Sequence, residues 1–214
     1  MKKKVNYQDF VIKNGKFIGQ FEKMYQKFKD PWNLLNENQK SKSVIHELIY
    51  FFCNKIRNET KKKLKTIEIG CGYPVISNSL HNLGFISYGT DISKTVINRS
   101  KKMKSFHKLK KKLFVSKFLN FKLYDKLNAD IYIMSEVSWY VLPFIKSFVN
   151  YLRSKKNIYL IHSLTVYKKN NQSYGKEYFY DLKSIKNYFD LDYICSINID
   201  YENGNKNAFF IAKI

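Results

Sequence analysis

The sequence predicts an α/β protein built on a doubly wound, mostly parallel sheet of seven strands. From residue 64 onward, short apolar strand patterns alternate with amphipathic helix patterns, and such alternation produces a sheet covered by helices on both faces. The apolar runs are nearly continuous, as in Ile-Tyr-Ile-Met at 131–134, which is typical of strands buried on both sides. The last two strands flank Asn-Gly-Asn at 203–205, a turn that predicts a C-terminal antiparallel hairpin.

Two helices are predicted ahead of the sheet. Residues 16–29 repeat apolar side chains with a helical period. Asp30 would end this helix, because Pro31 pushes the residue before it out of the α region. A second amphipathic pattern covers residues 40–57, and the lysines at 61–63 form the loop that leads into the first strand of the sheet.

The rest of the chain is predicted to alternate strands and helices. The expected strands are 64–70, 86–90, 112–116, 130–134, 157–162, 192–198 and 207–212. The expected helices are 74–83, 93–104, 143–153 and 181–189. In such sheets ligands bind beyond the carboxyl ends of the strands, so polar residues that follow these ends should gather at one edge.

Length and composition fit a single folded domain, 1–214, with an N-terminal helical lid or cap over 1–60 and an α/β core over 61–214. Hydrophobic residues make up 44% of the chain and aromatic residues 17%, enough for a substantial core. No apolar run is long enough to predict a membrane span, and the basic N-terminus leads into no signal-peptide core. The three cysteines lack metal-ligand spacing, so we expect reduced thiols, no metal and a cytoplasmic protein.

The net charge of +22 invites the hypothesis of a nucleic-acid partner. However, only three of the 39 basic residues are arginine, the residue that nucleic-acid readers use for bidentate contacts. The densest lysine cluster, within 101–112, lies between the second and third strands of the core, away from the expected catalytic edge. We therefore interpret the charge mainly as a solvated lysine surface, and nucleic acid as a partner that is not favoured.

A glycine bend and a downstream acid predict a site for a nucleoside-containing cofactor. Gly70 and Gly72 follow the first core strand, where they let backbone approach a ligand without a Cβ in the way. Asp91 follows the next strand, where a carboxylate can accept hydrogen bonds from two ribose hydroxyls. Asp91 could instead cap the helix that starts near Ser93.

The bend suits S-adenosylmethionine (SAM) better than a dinucleotide. Val75 stands where a dinucleotide fingerprint would have its third glycine. Glu68 faces the same side of the strand as Gly70, where a carboxylate would repel a pyrophosphate but attract the ammonium group of SAM.

These residues resemble motifs of a known family. Glu68-x-Gly70-Cys71-Gly72 and the later Asp91 are similar to motifs I and II of the class I SAM-dependent methyltransferases. The stretch 129–140 resembles the fourth strand of that fold and the loop after it, with Ser-Glu-Val at 135–137.

The N-terminal segment adds a further likeness. Tyr25 and Asp30-Pro31-Trp32 are similar to the N-terminal segment of small nodulation-type methyltransferases, so the resemblance spans roughly residues 20–165. It implies a Rossmann-like methyltransferase fold, with SAM as cofactor. The implied cofactor-binding residues are Tyr25, Trp32, Glu68, Gly70, Cys71, Gly72, Asp91, Ile92, Phe118 and Glu136. Tyr25 and Trp32 could equally be core aromatics beneath the first helix.

One position departs from the family pattern. Many members carry an aspartate after the third strand that binds the adenine amino group, and Lys117 stands at the matching position here. Adenine recognition would then fall to backbone groups, to Asn120 or to apolar contact with Phe118.

Two residues are candidates for catalysis. His162 closes the fifth predicted strand, where an imidazole could act as a general base, although a histidine after an apolar run is more often structural. Glu136 follows the fourth strand and could contact either the cofactor or the methyl acceptor. The segment 167–180, rich in Tyr, Asn and Lys, is a plausible acceptor-binding loop or a plain surface loop.

Three functions follow from this reading. The Asn/Asp-Pro-Pro-aromatic signature of nucleobase and glutamine amino-methyltransferases is absent, and Ser-Glu-Val-Ser stands at 135–138 instead. This favours a methyltransferase acting on a hydroxyl or amine of a small molecule, such as a sugar derivative. The alternatives are an RNA or protein methyltransferase that docks through its lysines, and a SAM-binding partner protein without turnover. The pattern does not predict an oligomeric state.

Overall fold

The computed structural model describes residues 6–36, 40–167, 172, 174–202, 204 and 206–214. In chain order the strands are β1 Ile12–Lys13, β2 Lys16–Phe17, β3 Lys65–Ile69, β4 Ile86–Asp91, β5 Leu113–Val115, β6 Ile131–Ser135, β7 Tyr159–Val166, β8 Tyr193–Asp200 and β9 Lys206–Lys213. The α-helices are α1 Phe21–Lys27, α2 Lys40–Thr60, α3 Val75–Asn82, α4 Lys94–Lys102, α5 Phe121–Leu127, α6 Ile145–Arg153 and α7 Leu182–Phe189. Short 3-10 helices cover Tyr7–Phe10, Lys104–Lys112, Ser138–Tyr140 and Leu142–Phe144.

The main sheet has seven strands in the order β5-β4-β3-β6-β7-β9-β8. Strands β3 to β7 pair in parallel, whereas β9 pairs antiparallel with both β7 and β8. The predicted doubly wound sheet with a C-terminal antiparallel hairpin is therefore confirmed. The chain runs outward from β3 to β5 and then returns to add β6 beside β3, so the switch in strand order lies between β3 and β6.

Both faces of the sheet are covered, as the continuous apolar runs predicted. In β6, Ile131 and Ile133 pack into one core cluster, which includes residues of α2 and α3. Tyr132 and Met134 point to the other face and join a second cluster around Phe148 of α6. Successive side chains of a strand thus fill cores on opposite faces.

The prediction of one helix over 16–29 is wrong in its first half. Residues 12–17 form the small antiparallel pair β1–β2, and only Phe21–Lys27 is helical. The turn between the two strands is Asn14-Gly15, with φ of 50° and 71°, and this dipeptide is a strong hairpin signal. The apolar period therefore misled the prediction where local turn chemistry decides the structure.

Other boundaries differ from the predictions as well. Helix α5 and the 3-10 helix Lys104–Lys112 are additional to the predicted elements. Strand β7 continues to Val166, so His162 lies inside the strand and not at its end. Within the predicted hairpin turn, residues 203 and 205 fall outside the described part of the chain. No described helix has the length and apolar character that a membrane span requires.

The N-terminal segment, defined here as residues 6–36, is tied to α4 by two charged side chains. Glu22 accepts hydrogen bonds from the hydroxyls of Ser93 and Thr95 at 2.7 and 2.6 Å, and from the Thr95 N–H at 3.1 Å. A carboxylate at this end of a helix also opposes the positive end of the helix dipole. The Arg99 guanidinium donates to the carbonyls of Tyr25 and Phe28 at 2.6 and 3.0 Å.

We expect Arg99→Met to loosen the N-terminal segment while leaving the sheet intact. The variant loses charge-assisted bonds to two part-buried carbonyls, so its free energy of unfolding should fall by about 2–3 kcal/mol. Urea unfolding measures the loss, and limited proteolysis should cut within 6–36 sooner than in the wild type. The control is Arg153→Met, whose ion pair with Asp190 is exposed and should be worth less than about 1 kcal/mol. Equal losses of unfolding free energy in the two variants would contradict the conclusion that Arg99 anchors the N-terminal segment.

Candidate functional site

A cavity of about 960 Å³ opens at the carboxyl ends of β3, β4, β5, β6 and β7. One wall comes from the ends of these strands and the loops after them, and the other comes largely from the N-terminal segment. All ten residues predicted to bind the cofactor line this cavity: Tyr25, Trp32, Glu68, Gly70, Cys71, Gly72, Asp91, Ile92, Phe118 and Glu136. The structure thus brings the predicted set together in one place.

The glycine bend between β3 and α3 is tightly packed. Gly70 and Gly72 have φ of +68° and +52°, a region that disfavours other residues. A Cβ on Gly70 would lie 2.5 Å from Cγ2 of Val137, and one on Gly72 would lie 2.6 Å from the Tyr25 hydroxyl. Between them, the Cys71 N–H donates to the carbonyl of Thr90 at 2.9 Å, which joins the bend to β4.

Asp91 connects the bend to the helix that follows β4. Its carboxylate accepts the Gly72 N–H at 2.9 Å on one oxygen and the Ser93 N–H at 2.8 Å on the other. Burial raises the pKa of Asp91 to about 6 even though these donors act to lower it. The residue that caps α4 is Ser93, whose hydroxyl accepts the Val96 N–H. The alternative that Asp91 caps this helix is therefore wrong.

Glu68 is a second buried acid on the cavity. Its Oε2 accepts the N–H and the hydroxyl of Ser77 at 2.9 and 2.6 Å, in the first turn of α3. Burial raises the pKa of Glu68 to about 7, although the bonds from Ser77 act to lower it. Two desolvated carboxylates in one cavity suit a ligand that brings positive charge and hydrogen-bond donors.

Aromatic side chains form much of the remaining wall. Trp32 lies between Tyr7 and Tyr140, with ring centroids 5.0 and 5.7 Å away. Phe21 meets the ring of Tyr140 edge-on at 5.3 Å. The interpretation of Trp32 as a core aromatic is therefore incomplete, since its ring is only partly buried and lines the cavity. Tyr25, in contrast, is 2% exposed and also packs in the core beneath α1.

The end of β5 forms the opposite part of the cavity. Residues 116–119 line it, including Lys117 and Phe118, and the Ser116 N–H donates to the Asp91 carbonyl at 2.8 Å. Phe118 packs on Phe148 at 4.9 Å. Asn120 is not among the lining residues, because its side chain accepts the Leu123 N–H and caps α5. Among the groups predicted to contact adenine, the Asn120 side chain is therefore the one that the structure does not support.

Glu136 follows β6 in a left-handed conformation, with φ of +59°. One carboxylate oxygen accepts the N–H and hydroxyl of Thr165 at 2.8 and 2.9 Å, and the other accepts the Asn207 amide at 2.7 Å. These bonds join β6 to β7 and β9 at the cavity edge. Thr165 and Asn207 line the cavity and were missed in the sequence, where nothing marks a threonine and an asparagine within apolar strands as partners of a distant acid.

His162 is not part of the cavity lining. Its ring is buried and stacks between Phe189 and Phe210, at centroid distances of 4.4 and 4.5 Å. Neither ring nitrogen has a hydrogen-bond partner in the described part of the protein. Burial lowers the pKa of His162 to about 3. The geometry therefore gives this histidine a packing position and not that of a general base, because β7 continues past it to Val166.

Across the residues that the structure describes, no group of three or more His, Cys, Asp or Glu side chains is placed to hold a metal ion. The acidic residues among the described lining of the cavity are Glu68, Asp91 and Glu136. The basic residues are Lys117 and His46.

No protein-family model matches the sequence, and no curated protein matches it. Solved structures, however, share the fold. The N-methyltransferase NodS from Bradyrhizobium japonicum WM9, in complex with S-adenosyl-L-homocysteine (SAH), is similar with a TM-score of 0.64 and 12% identity, over 94% of this chain and 98% of that one. The magnesium protoporphyrin IX methyltransferase ChlM from Synechocystis PCC 6803, also with bound SAH, has a TM-score of 0.57 and 14% identity, over 80% and 81% of the two chains.

The bifunctional kinase-methyltransferase WbdD is similar with a TM-score of 0.63 and 15% identity, over 86% of this chain. This chain spans 41% of the length of WbdD. The predicted resemblance to class I SAM-dependent methyltransferases, including the nodulation-type enzymes, is confirmed at the level of the fold.

We expect His162→Phe to stabilise the protein, and to do so more in acid. Unfolded chains bind a proton at histidine near pH 6.5, whereas this folded site resists protonation until about pH 3, so the wild type loses stability as the pH falls below 6.5. Phenylalanine does not titrate. The difference in unfolding free energy between the variant and the wild type should therefore widen by about 2 kcal/mol from pH 7.5 to 5. Urea unfolding at both pH values measures it. A stability difference that does not change with pH would mean that the His162 ring is hydrated or hydrogen-bonded in the folded protein.

Proposed function

We propose that this chain is a SAM-dependent methyltransferase that acts on a hydroxyl or amine of a small molecule. The observation that carries the proposal is the convergence of the glycine bend, Asp91 and Glu68 on one cavity at the switch in strand order. The fold shared with SAH-bound methyltransferases supports it.

The residues present fit this cofactor. The space that a Cβ would fill at Gly70 and Gly72 is already occupied by Val137 and Tyr25, so only glycine leaves the bend free to present its backbone to a ligand. Each oxygen of Asp91 accepts one backbone N–H, which leaves acceptor capacity for ribose hydroxyls. Glu68 supplies the charge for the ammonium end, and residues 116–119 would flank the adenine.

When bound, the cofactor supplies an electrophilic methyl group on a sulfonium sulfur. The chain then has to hold the acceptor in line and keep water out, and positioning of this kind can supply much of a rate enhancement. The aromatic wall formed by Tyr7, Phe21, Trp32 and Tyr140 is suited to both tasks. Glu136 is the candidate to face the acceptor, whereas we assign no proton transfer to His162.

The site favours a small acceptor over a macromolecule. The cavity lies in the size range of small-ligand pockets, about 300–1,000 Å³, and the N-terminal segment contributes a wall that an extended polymer would have to displace. None of the lysines in the 101–112 cluster lines the cavity. We propose a cytoplasmic location, because the three cysteines form no disulfide and free thiols persist in a reducing compartment.

Two measurements test the function directly. Calorimetry with SAM and SAH reports cofactor binding, and transfer of labelled methyl into a fractionated cell extract reports turnover. Label in the small-molecule fraction supports the proposal. Label in RNA or protein, lost steeply as salt rises, would favour the macromolecular alternative, and binding without labelled product would favour a non-catalytic partner.

We expect Gly70→Ala to weaken SAH binding at least 100-fold. The added Cβ would lie 2.5 Å from Cγ2 of Val137, so the bend or Val137 must shift and the cavity wall changes shape. The matched control is Gly204→Ala, which has a similar φ of +78° but no atom within 4 Å of the added Cβ. Both variants carry the strain of a left-handed alanine, and only the first should lose binding by calorimetry. Unchanged binding in Gly70→Ala would refute the placement of the cofactor.

We expect SAM affinity to rise between pH 5.5 and 7. The pKa values of Asp91 and Glu68 are raised to about 6 and about 7, so both acids are partly neutral at pH 5.5. A cationic ligand prefers the ionised forms, and the affinity should therefore increase as each loses its proton. Calorimetry at constant ionic strength measures the slope, and Glu68→Gln should flatten it. An affinity that falls over this range would contradict the assigned charge contacts.

A further inference from the structure

We infer that the acceptor carries an ammonium group, which Glu136 and a group of tyrosines bind at the β6–β7 end of the cavity. This group serves recognition, because a protonated nitrogen has no lone pair, and the methyl group goes to a separate hydroxyl or neutral amine of the acceptor. This inference deepens the proposed function and rests on it, because the cofactor would occupy the neighbouring β3–β5 end. We call the Glu136 end the acceptor chamber, lined by Tyr7, Glu136, Tyr140, Tyr167 and Tyr201.

The tyrosines of the acceptor chamber line the same cavity as the Glu136 carboxylate. Burial raises the pKa of Tyr167, and the charges of Glu136 and Tyr7 raise it further. For Tyr140 the pKa is raised by burial, then by Tyr167, Glu136 and Tyr7. For Tyr201 it is raised by burial and by Glu136.

Rigid contacts fix the carboxylate in this position. The hydrogen bonds from Thr165 and Asn207 hold both oxygens of Glu136 in place. A carboxylate fixed in this way can serve as an immobile binding group for a cation.

The lysine of the cavity wall lies away from Glu136. Lys117 follows β5, which lies three strand positions from β6 in the sheet, a separation of about 14 Å at the usual strand spacing. Glu136 bonds toward β7 and β9, which lie on the far side of β6 from Lys117. Lys117 is therefore too distant to pair with Glu136.

Aromatic rings complete the preference for a cation. Tyr140 packs against Phe21 and Trp32, and Tyr167 packs against Trp139 at 5.7 Å. Ring faces attract ammonium groups by roughly 0.5–2 kcal/mol each, and a charge-assisted hydrogen bond is about twice as strong as a neutral one. A hydroxyl in the same place could donate to the carboxylate, but it would lack both the attraction between opposite charges and the attraction to the ring faces.

Three probes of matched shape test the inference: 2-phenylethylamine, 2-phenylethanol and phenylacetate. Each is titrated into SAH-saturated protein by calorimetry and by fluorescence of the two tryptophans, Trp32 and Trp139, which both line the cavity. The amine should bind at least 10-fold tighter than the alcohol, and phenylacetate should bind most weakly. An alcohol that binds as well as the amine, or phenylacetate as the tightest probe, would overturn the inference.

The variant Glu136→Gln removes the charge while keeping the shape, and the Asn207 amide can turn over to meet it. It should lose at least 10-fold in affinity for the amine and much less for the alcohol. The control is Glu59→Gln, which removes the same charge from an exposed pair with Lys55 at the end of α2 and should leave the ranking unchanged. An unchanged amine preference in Glu136→Gln would also overturn the inference.

Failure of the proposed function is distinguishable from failure of this inference. If SAH does not bind the wild type, the cofactor assignment fails, and the three probes are titrated without it. If Glu136→Gln does not fold, the ranking of the probes on the wild type decides alone.

Discussion

The site depends on one buried carboxylate that connects two loops. Asp91 receives a backbone N–H from the bend after β3 and another from the loop after β4, and thereby holds both at the mouth of the cavity. Parallel pairing sets β3 and β4 side by side, but it does not determine the path of the chain beyond their ends. The two bonds of Asp91, together with the Cys71 N–H bond to Thr90, fix that path. Under the proposed function, the same carboxylate would also accept hydrogen bonds from a ribose.

The sheet and the β3–β5 end of the cavity were predictable because their signals are local. Continuous apolar runs identified the parallel strands, and glycines beside Glu68 and Asp91 identified the loops that end on the cavity. The observed strand ends differ from the predicted ones by up to four residues, and at His162 that difference favours the structural interpretation over the catalytic one. A strand expected to stop there continues to Val166, so its histidine packs between two phenylalanines. Periodicity does not show where a strand ends when polar residues continue its alternation.

The N-terminal wall and the acceptor chamber were less predictable because long-range pairs build them. Glu22 reaches α4 across more than 70 residues of chain, as does the Asn207 bond to Glu136. No spacing rule links such residues, and their types are common on any surface. The small β1–β2 pair was missed for a different reason: an apolar helical period outweighed a two-residue turn signal at Asn14-Gly15. Contacts between residues distant in sequence, together with competing local signals, thus account for the features that the sequence did not predict.

The burial of Glu68 and Asp91 lowers the stability of the folded protein at neutral pH. A carboxyl group whose pKa is raised by folding binds its proton more tightly when folded, so it destabilises the protein as the pH rises above its unfolded value of about 4.5 or 3.8. For Glu68 alone this cost is on the order of 3 kcal/mol at neutral pH. A cationic occupant offsets the cost and adds its own binding free energy. Under the proposed function, the resistance of the chain to unfolding and to proteolysis would therefore rise with the concentration of methyl donor.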